Sequence, residues 1–462
     1  MSSETGSVVP AIGPVPRQER LQALDIARGV AVLGILLMNI WAFAGPEAFF
    51  DYPLAIADRP GNPVATWAVV HTLFEGTQRA LLSLLFGVGA MLSLARLEKR
   101  GAPGSARGTY YRRTFALIAL GLINAYVFLW PADILFVYGL AGLCLYPLRK
   151  LRTPVLLAIV LIAVTVPAAI RVAKIVDLRA LESASTAAVA SQAAGVELSK
   201  LERSSIADWD KELKKARPDP ADDEVADGIR SMQSGSLAEI IVRQAKVSLV
   251  LQTIVAVKWW FLDALGMMII GMVLYRSGIL TRPAPRRRYL AMIGAGFAIG
   301  LPLAVWQTNT VLAAGFHPLA VEITNLGIDV RRFALAMGYL GLILWFCQAA
   351  NGQAIKRSLA AVGRMALTNY LAQSILCGLI FYGFGFGLYG RVTGYQLYGV
   401  VLLVWGLELL WSTWWLKHFR IGPFEWVWRS VTYQRAQAWQ RAPSAETGIP
   451  ASRSSAASRS PP

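Results

Sequence analysis

The strongest constraint on this chain is a series of apolar runs, each close to the length that crosses a bilayer, joined by polar turns. A bilayer core is about 30 Å thick and takes about 20 apolar residues in a helix. No water reaches backbone groups inside it, so a spanning helix must close its hydrogen bonds within itself. Runs of this kind fall at about ten places: 24–43, 79–95, 114–130, 133–148, 153–172, 249–275, 289–307, 333–349, 359–383 and 395–416. The expected fold is all-α, a polytopic transmembrane helix bundle. The run at 249–275 exceeds one crossing and is expected to bend, and a short helical pattern at 64–75 leads into the second span.

Of 462 residues, 55% are hydrophobic and only 16% charged, more apolar than an ordinary soluble domain. The 15 Trp and 15 Tyr suit a protein with two membrane–water interfaces. A formal charge of +17 could suit nucleic acid, but the Lys and Arg mostly flank apolar runs, which is a topology pattern, so no nucleic-acid partner is expected. The three cysteines, Cys144, Cys347 and Cys377, sit inside apolar runs without metal-ligand spacing; they read as small buried apolar residues, and no metal site is expected.

Residues 1–22 are polar and rich in Pro and Ser, a disordered tail by composition. The first half of the bundle occupies 23–172. Residues 173–236 have mixed charge and a Pro break, and read as a small, partly helical insertion outside the membrane. The second half fills 237–435; Ser236-Leu237-Ala238-Glu239 matches a capping box at its start. Residues 436–462 read as a second disordered tail. Ala42-Phe43-Ala44 has the small-residue pattern of a signal cleavage site, but the long polar lead and Arg28 inside the helix pattern favour a retained span.

Charge sets the orientation. The stretches RLEKRGAPGSARGTYYRR, RKLR, RSGILTRPAPRRR, NGQAIKRS and KHFR alternate with connections that hold few basic residues. Positive loops stay inside, so both termini are expected in the cytoplasm and the insertion outside, in a bacterial inner membrane. Arg331 and Arg332, at the outer start of the eighth span, are the exception.

Topology sorts the polar residues. Asp25 and Arg28, three apart on one helix face, open the first span on the inner side, with Arg364 and Arg420 on the same side. Asn39, His71, Glu75 and Asp133 fall on the outer side. His71 and Glu75 are four apart, hence stacked on one face. An imidazole oriented by a carboxylate is what general-base chemistry on a hydroxyl requires, and Asp133 could supply that carboxylate instead. An interfacial histidine satisfied by a neighbour fits the same spacing, and residue types alone favour it. Asp263 and Glu408 look deepest. Ionisable groups at such depth face the bundle interior, either as an ion pathway or paired with Lys258, Arg364 or a hydroxyl. GFGFGLYG at 383–390 lacks the Lys-Ser/Thr of a phosphate loop and reads as a tight aromatic-lined connection.

Three stretches, RLQALDIARGVAVLGILLMNI, SLLFGVGA with ADILFVYGLAGLCLYPLRK, and VGRMALTNYLAQSILCGLIFYGFGFGLYG with FRIGPFEWVWRSVTY, resemble the YeiB-like family, domain of unknown function 418. The resemblance runs from Leu21 to Tyr433 and carries no settled activity. The first span is also similar to the opening of transmembrane acyltransferases, where an Asp-x-x-Arg-Gly pattern precedes a bundle passing acyl groups from a cytoplasmic donor to an envelope acceptor. Asp25, Arg28 and Gly29 match that pattern. Asn39 departs from it, standing where many acyltransferases place a histidine; His71 would take over as base, as in the heparan-acetyltransferase branch. The resemblance implies an acyl-CoA-type donor at the Arg28 side, and an envelope lipid or glycan as acceptor. A proton-coupled transporter using Asp263 and Glu408, or a non-catalytic subunit of an envelope complex, would use the same polar interior.

Overall fold

The computed structural model describes residues 17–100, 103–280 and 284–440. Among them every secondary-structure element is a helix, apart from a lone bridge between Phe419 and Gln440. The expected all-α bundle is what forms. Seven helical stretches are long and apolar enough to cross a membrane: Gln22–Ala44, Pro63–Glu98, Thr153–Ala193, Leu237–Arg276, Arg286–Ala313, Ile328–Gln348 and Gln396–His418. Two apolar helices, Ile134–Leu148 and Ala366–Phe381, are shorter.

The first helix, α1 (Arg17–Ala44), begins inside the stretch read as a tail; residues 1–16 lie outside the described residues. A short α2 (Glu47–Asp51) follows, then α3 (Pro63–Phe74), α4 (Thr77–Arg100), α5 (Pro103–Tyr126), α6 (Ile134–Leu148) and α7 (Thr153–Ala193). The helix of the fifth span continues past residue 172 into the partly helical insertion, because 173–193 holds no Gly or Pro and is rich in good helix formers. At 41 residues, α7 is about 60 Å long, and half of it projects beyond a bilayer. It stops at Gly195, whose φ of +77° suits a residue without a Cβ. Next come α8 (Lys200–Ala216) and α9 (Asp223–Ser234). They dock on loops of the bundle: Gly383 N donates to Met232 O at 2.8 Å, and Arg217 Nε to Gly315 O at 2.8 Å.

The expected capping box at Ser236 and Glu239 starts α10 (Leu237–Val250). A π-helical stretch, Leu251–Trp260, joins it without a break to α11 (Phe261–Arg276). The remaining helices are α12 (Arg286–Ala313), α13 (Pro318–Asn325), α14 (Ile328–Gln348), α15 (Gln353–Arg364), α16 (Ala366–Phe381), α17 (Gln396–His418) and α18 (Pro423–Tyr433).

The ninth span, read as one run, is two helices broken at Met365. The start of α16 has no cap of its own; the Glu425 carboxylate from α18 accepts from Leu367 N at 2.7 Å and Thr368 N at 3.1 Å. The orphan N–H groups of a new helix start are thus met by a distant residue. The tail expected from 436 is also pinned at its beginning. Arg420 N donates to Trp439 O at 3.1 Å, and the Trp439 ring packs on Trp415, Phe419 and Trp426. Residues 441–462 lie outside the described residues.

Helices without a hydrophobic drive between them associate by close backbone packing. A Cβ on Gly29 would overlap the Leu359 carbonyl oxygen, and one on Gly363 would overlap that of Asp25. The pair locks α1 to α15, and explains why glycine follows Arg28. Gly87 and Gly271 join α4 to α11 in the same reciprocal way. Gly363→Ala should therefore destabilise the solubilised protein by about 1–3 kcal/mol, read as a lower thermal midpoint; an unchanged midpoint would show that α1 and α15 are free to move apart.

Candidate functional site

The bundle has two polar ends. Asp25 on α1 lies within electrostatic reach of Arg429 on α18, so both ends of the described chain share one end. The α8–α9 insertion lies at the other.

At the insertion end, Asn62 caps α3 by accepting from Ala65 N at 3.4 Å, and Pro63 pre-sets its first turn. The helix carries His71, stacked on Trp67 with ring centroids 4.3 Å apart, and ends at Glu75. Gly76 follows with φ +67°, packed so closely under Arg332 that a Cβ would not fit. His71 Nε2 lies 3.1 Å from Glu75 Oε2, and Nδ1 lies 2.9 Å from the Thr308 hydroxyl of α12. The Thr72 hydroxyl meets Thr308 at 2.9 Å. Arg331 of α14, its side chain only 1% exposed, pairs with the Glu75 carboxylate. The expected His71–Glu75 pair is thus formed, and Thr308 and Arg331 complete a line of four groups.

Next to this line is a cavity of about 420 Å³, within the usual size of a ligand site. Asp263 lies between two arginines, 2.9 Å from Arg79 and 3.4 Å from Arg332, and Arg332 reaches Asp329 at 3.7 Å. On the opposite wall Glu322 of α13 binds Arg171 at 3.1 Å and Lys174 at 2.6 Å, both on α7. Trp259 and Trp260 close the side. Asp263 therefore does not pair with Lys258, Arg364 or a hydroxyl as the sequence suggested, because α4 and α14 bring guanidinium groups to it first.

Asp133 belongs to a different network. It caps α6 by accepting from Phe136 N at 2.8 Å, and also accepts from Asn124 Nδ2 at 2.8 Å and the Tyr370 hydroxyl at 3.2 Å. The carboxylate beside His71 is Glu75. Glu408 is fully buried on α17, where Oε2 accepts from Gln373 Nε2 at 3.2 Å and Oε1 has no hydrogen-bond partner. Asn39 is half-buried on α1.

At the end shared by the chain ends, Arg28 pairs with Asp25 at 2.9 Å. Arg364 and Arg429 also act on the Asp25 carboxylate, and Arg113 lies 4.4 Å from the Trp428 ring centroid. Arg364 donates to the backbone carbonyl of Arg420 at 3.3 Å, so Arg420 meets this group through its main chain. Guanidinium groups exceed carboxylates here, which suits phosphate.

Sequence reasoning missed Thr308, because a lone threonine inside an apolar run carries no signal. Arg331 and Arg332 did carry one: they were the exception to the charge rule. Removing one partner of the Glu75–Arg331 pair leaves a buried charge. Arg331→Met should cost about 3–5 kcal/mol, and adding Glu75→Gln should restore part of it; additive losses in thermal unfolding would show that the two groups are not coupled.

Residues 274–435 match the family described as "Protein of unknown function (DUF418)". Curated relatives match over most of the chain. "Uncharacterized protein YxaH" of Bacillus subtilis is 28% identical, covering 93% of this chain and 98% of that protein. "Uncharacterized protein YeiB" of Escherichia coli is 29% identical, covering 90% and 97%. No solved structure matches.

Proposed function

The chain belongs to the DUF418 family, and from that premise we propose that it transfers an acyl group from a cytoplasmic acyl-CoA-type donor to a hydroxyl of an envelope lipid or glycan. In this reading both termini face the cytoplasm and the insertion end faces outward across a bacterial inner membrane. The basic loops support that orientation.

The observation that carries the reading is the line Glu75–His71–Thr308, with contacts of 3.1 and 2.9 Å. An imidazole held by a carboxylate on one nitrogen and facing a hydroxyl on the other is built to take the hydroxyl proton as its oxygen attacks an acyl carbonyl. The carboxylate then stabilises the imidazolium, and the proton leaves with the thiol of the donor. Arg331 pairs with that carboxylate. Thr308 marks the point at which a hydroxyl meets the base. The arginines around Asp25 would hold the phosphates of the donor. Asn39, on α1 between the two ends, lies on the side facing the acceptor.

A second reading, a proton-coupled transporter of a small metabolite or amphiphile, is favoured by a different observation: Asp263 lines a charged cavity rather than packing in a sealed core. Flux separates the two. Lipid and glycan profiles of cells with and without the protein should differ by an acyl group, and His71→Ala should lower that acylation about 100-fold or more. Unchanged acylation in His71→Ala removes the base. Proton-linked uptake into proteoliposomes that disappears with Asp263→Asn would instead establish transport.

A further inference from the structure

The cavity beside Asp263 has features that neither reading uses. One wall is a single face of α7, where Ala163, Pro167, Arg171 and Lys174 follow at spacings of four, four and three. The stripe covers about 16 Å of helix and changes character along it. Ala163 and Pro167 are buried, the Arg171 side chain is 17% exposed and that of Lys174 is 49% exposed. The cavity thus has a small-residue floor and a charged mouth. The opposite face of α7 exposes Leu161, Ile162 and Val166, so this helix is the partition between the cavity and the lipid.

The charges are balanced. Arg79, Arg171, Lys174 and Arg332 face Asp51, Asp263, Glu322 and Asp329. A simple anion would be drawn by four groups and repelled by four, and so would a simple cation. A molecule with both charges a few ångströms apart meets complementary groups on both sides. Unspent hydrogen-bonding capacity has the same dual character. Arg79 Nε and Arg332 Nε are buried donors without a hydrogen bond, and Asp263 Oδ1 has only the 3.4 Å ion pair to Arg332. Buried polar atoms are ordinarily satisfied, and the residues that carry these atoms line the cavity, so groups of both signs keep capacity for a ligand. The rings of Trp259 and Trp260 lie beside them, Arg171 4.6 Å from the first and Arg79 5.9 Å from the second, a common lining where a headgroup meets the interface.

We propose that this cavity binds a zwitterionic phosphoamine, a phosphate and an ammonium joined by a short linker as in a phosphoethanolamine head. The phosphate lies toward Arg171 and Lys174 at the mouth, and the ammonium toward Asp263 and Asp329 on the other wall. The inference is separate from acyl transfer, because binding is measured without turnover.

The test uses the full-length protein purified in detergent or in nanodiscs. Glycerophosphoethanolamine, glycerol 3-phosphate and inorganic phosphate are titrated calorimetrically, and phosphatidylethanolamine and phosphatidylglycerol of identical chains are compared by native mass spectrometry. The zwitterion should bind about tenfold tighter than either simple phosphate, and Arg171→Gln with Lys174→Gln, both at the exposed mouth, should weaken it about tenfold. Ala163→Phe, which fills the floor, should weaken it too. Binding of the soluble head identifies the head alone as ligand; binding of only the intact lipid assigns the bilayer as source, and both support the site. Equal affinity for zwitterion and simple phosphate, or affinity unchanged in the mouth variant, overturns it.

Discussion

The Asp263 carboxylate between Arg79 and Arg332 holds together the insertion end of the bundle. An unpaired ion at that depth is expensive, so α4, α11 and α14 must converge wherever Asp263 goes. Their convergence places Gly76 under Arg332 and sets Arg331 against Glu75. Glu75 in turn fixes His71. The orientation of one imidazole on α3 therefore depends on an ion pair that it does not touch.

The opposite end follows a different rule. There the backbones of α1 and α15 touch through Gly29 and Gly363, and beside that contact Arg28 pairs with Asp25. Because α15 is bound so closely to α1, the chain must change direction before it can continue inward, and Glu425 makes the break at Met365 tolerable by capping α16. Further along, Asn369 meets Ser412, and Gln373 meets Glu408. These polar contacts tie α16 to α17 within the bundle, so that interior is held by hydrogen bonds as well as by packing.

Much of the fold was legible because bilayer physics acts on segments locally. Length and hydropathy mark a span without knowledge of its neighbours, and the pattern at 64–75 and the capping box at Ser236 are signals contained in a few residues. The features that were not legible share one cause. The unbroken α7, the break at Met365 and the pinned start of the C-terminal tail depend on contacts with residues far away in sequence, or on how far a helix continues once it has left the lipid. Half of the site was legible in the same sense: His71 and Glu75 were found by helical spacing, whereas Asp133 was matched by depth alone and belongs with Asn124 and Tyr370.

An all-helical membrane bundle, the sorting of its charges and the pairing of groups three or four residues apart were already set by local periodicity and by the energy of moving a segment into lipid. Packing between distant helices settled which guanidinium meets which carboxylate, that Thr308 faces His71, and that four basic and four acidic side chains share one cavity. Those pairings join helices up to hundreds of residues apart. No local energy term distinguishes one arginine near a helix start from another until packing sets the distances.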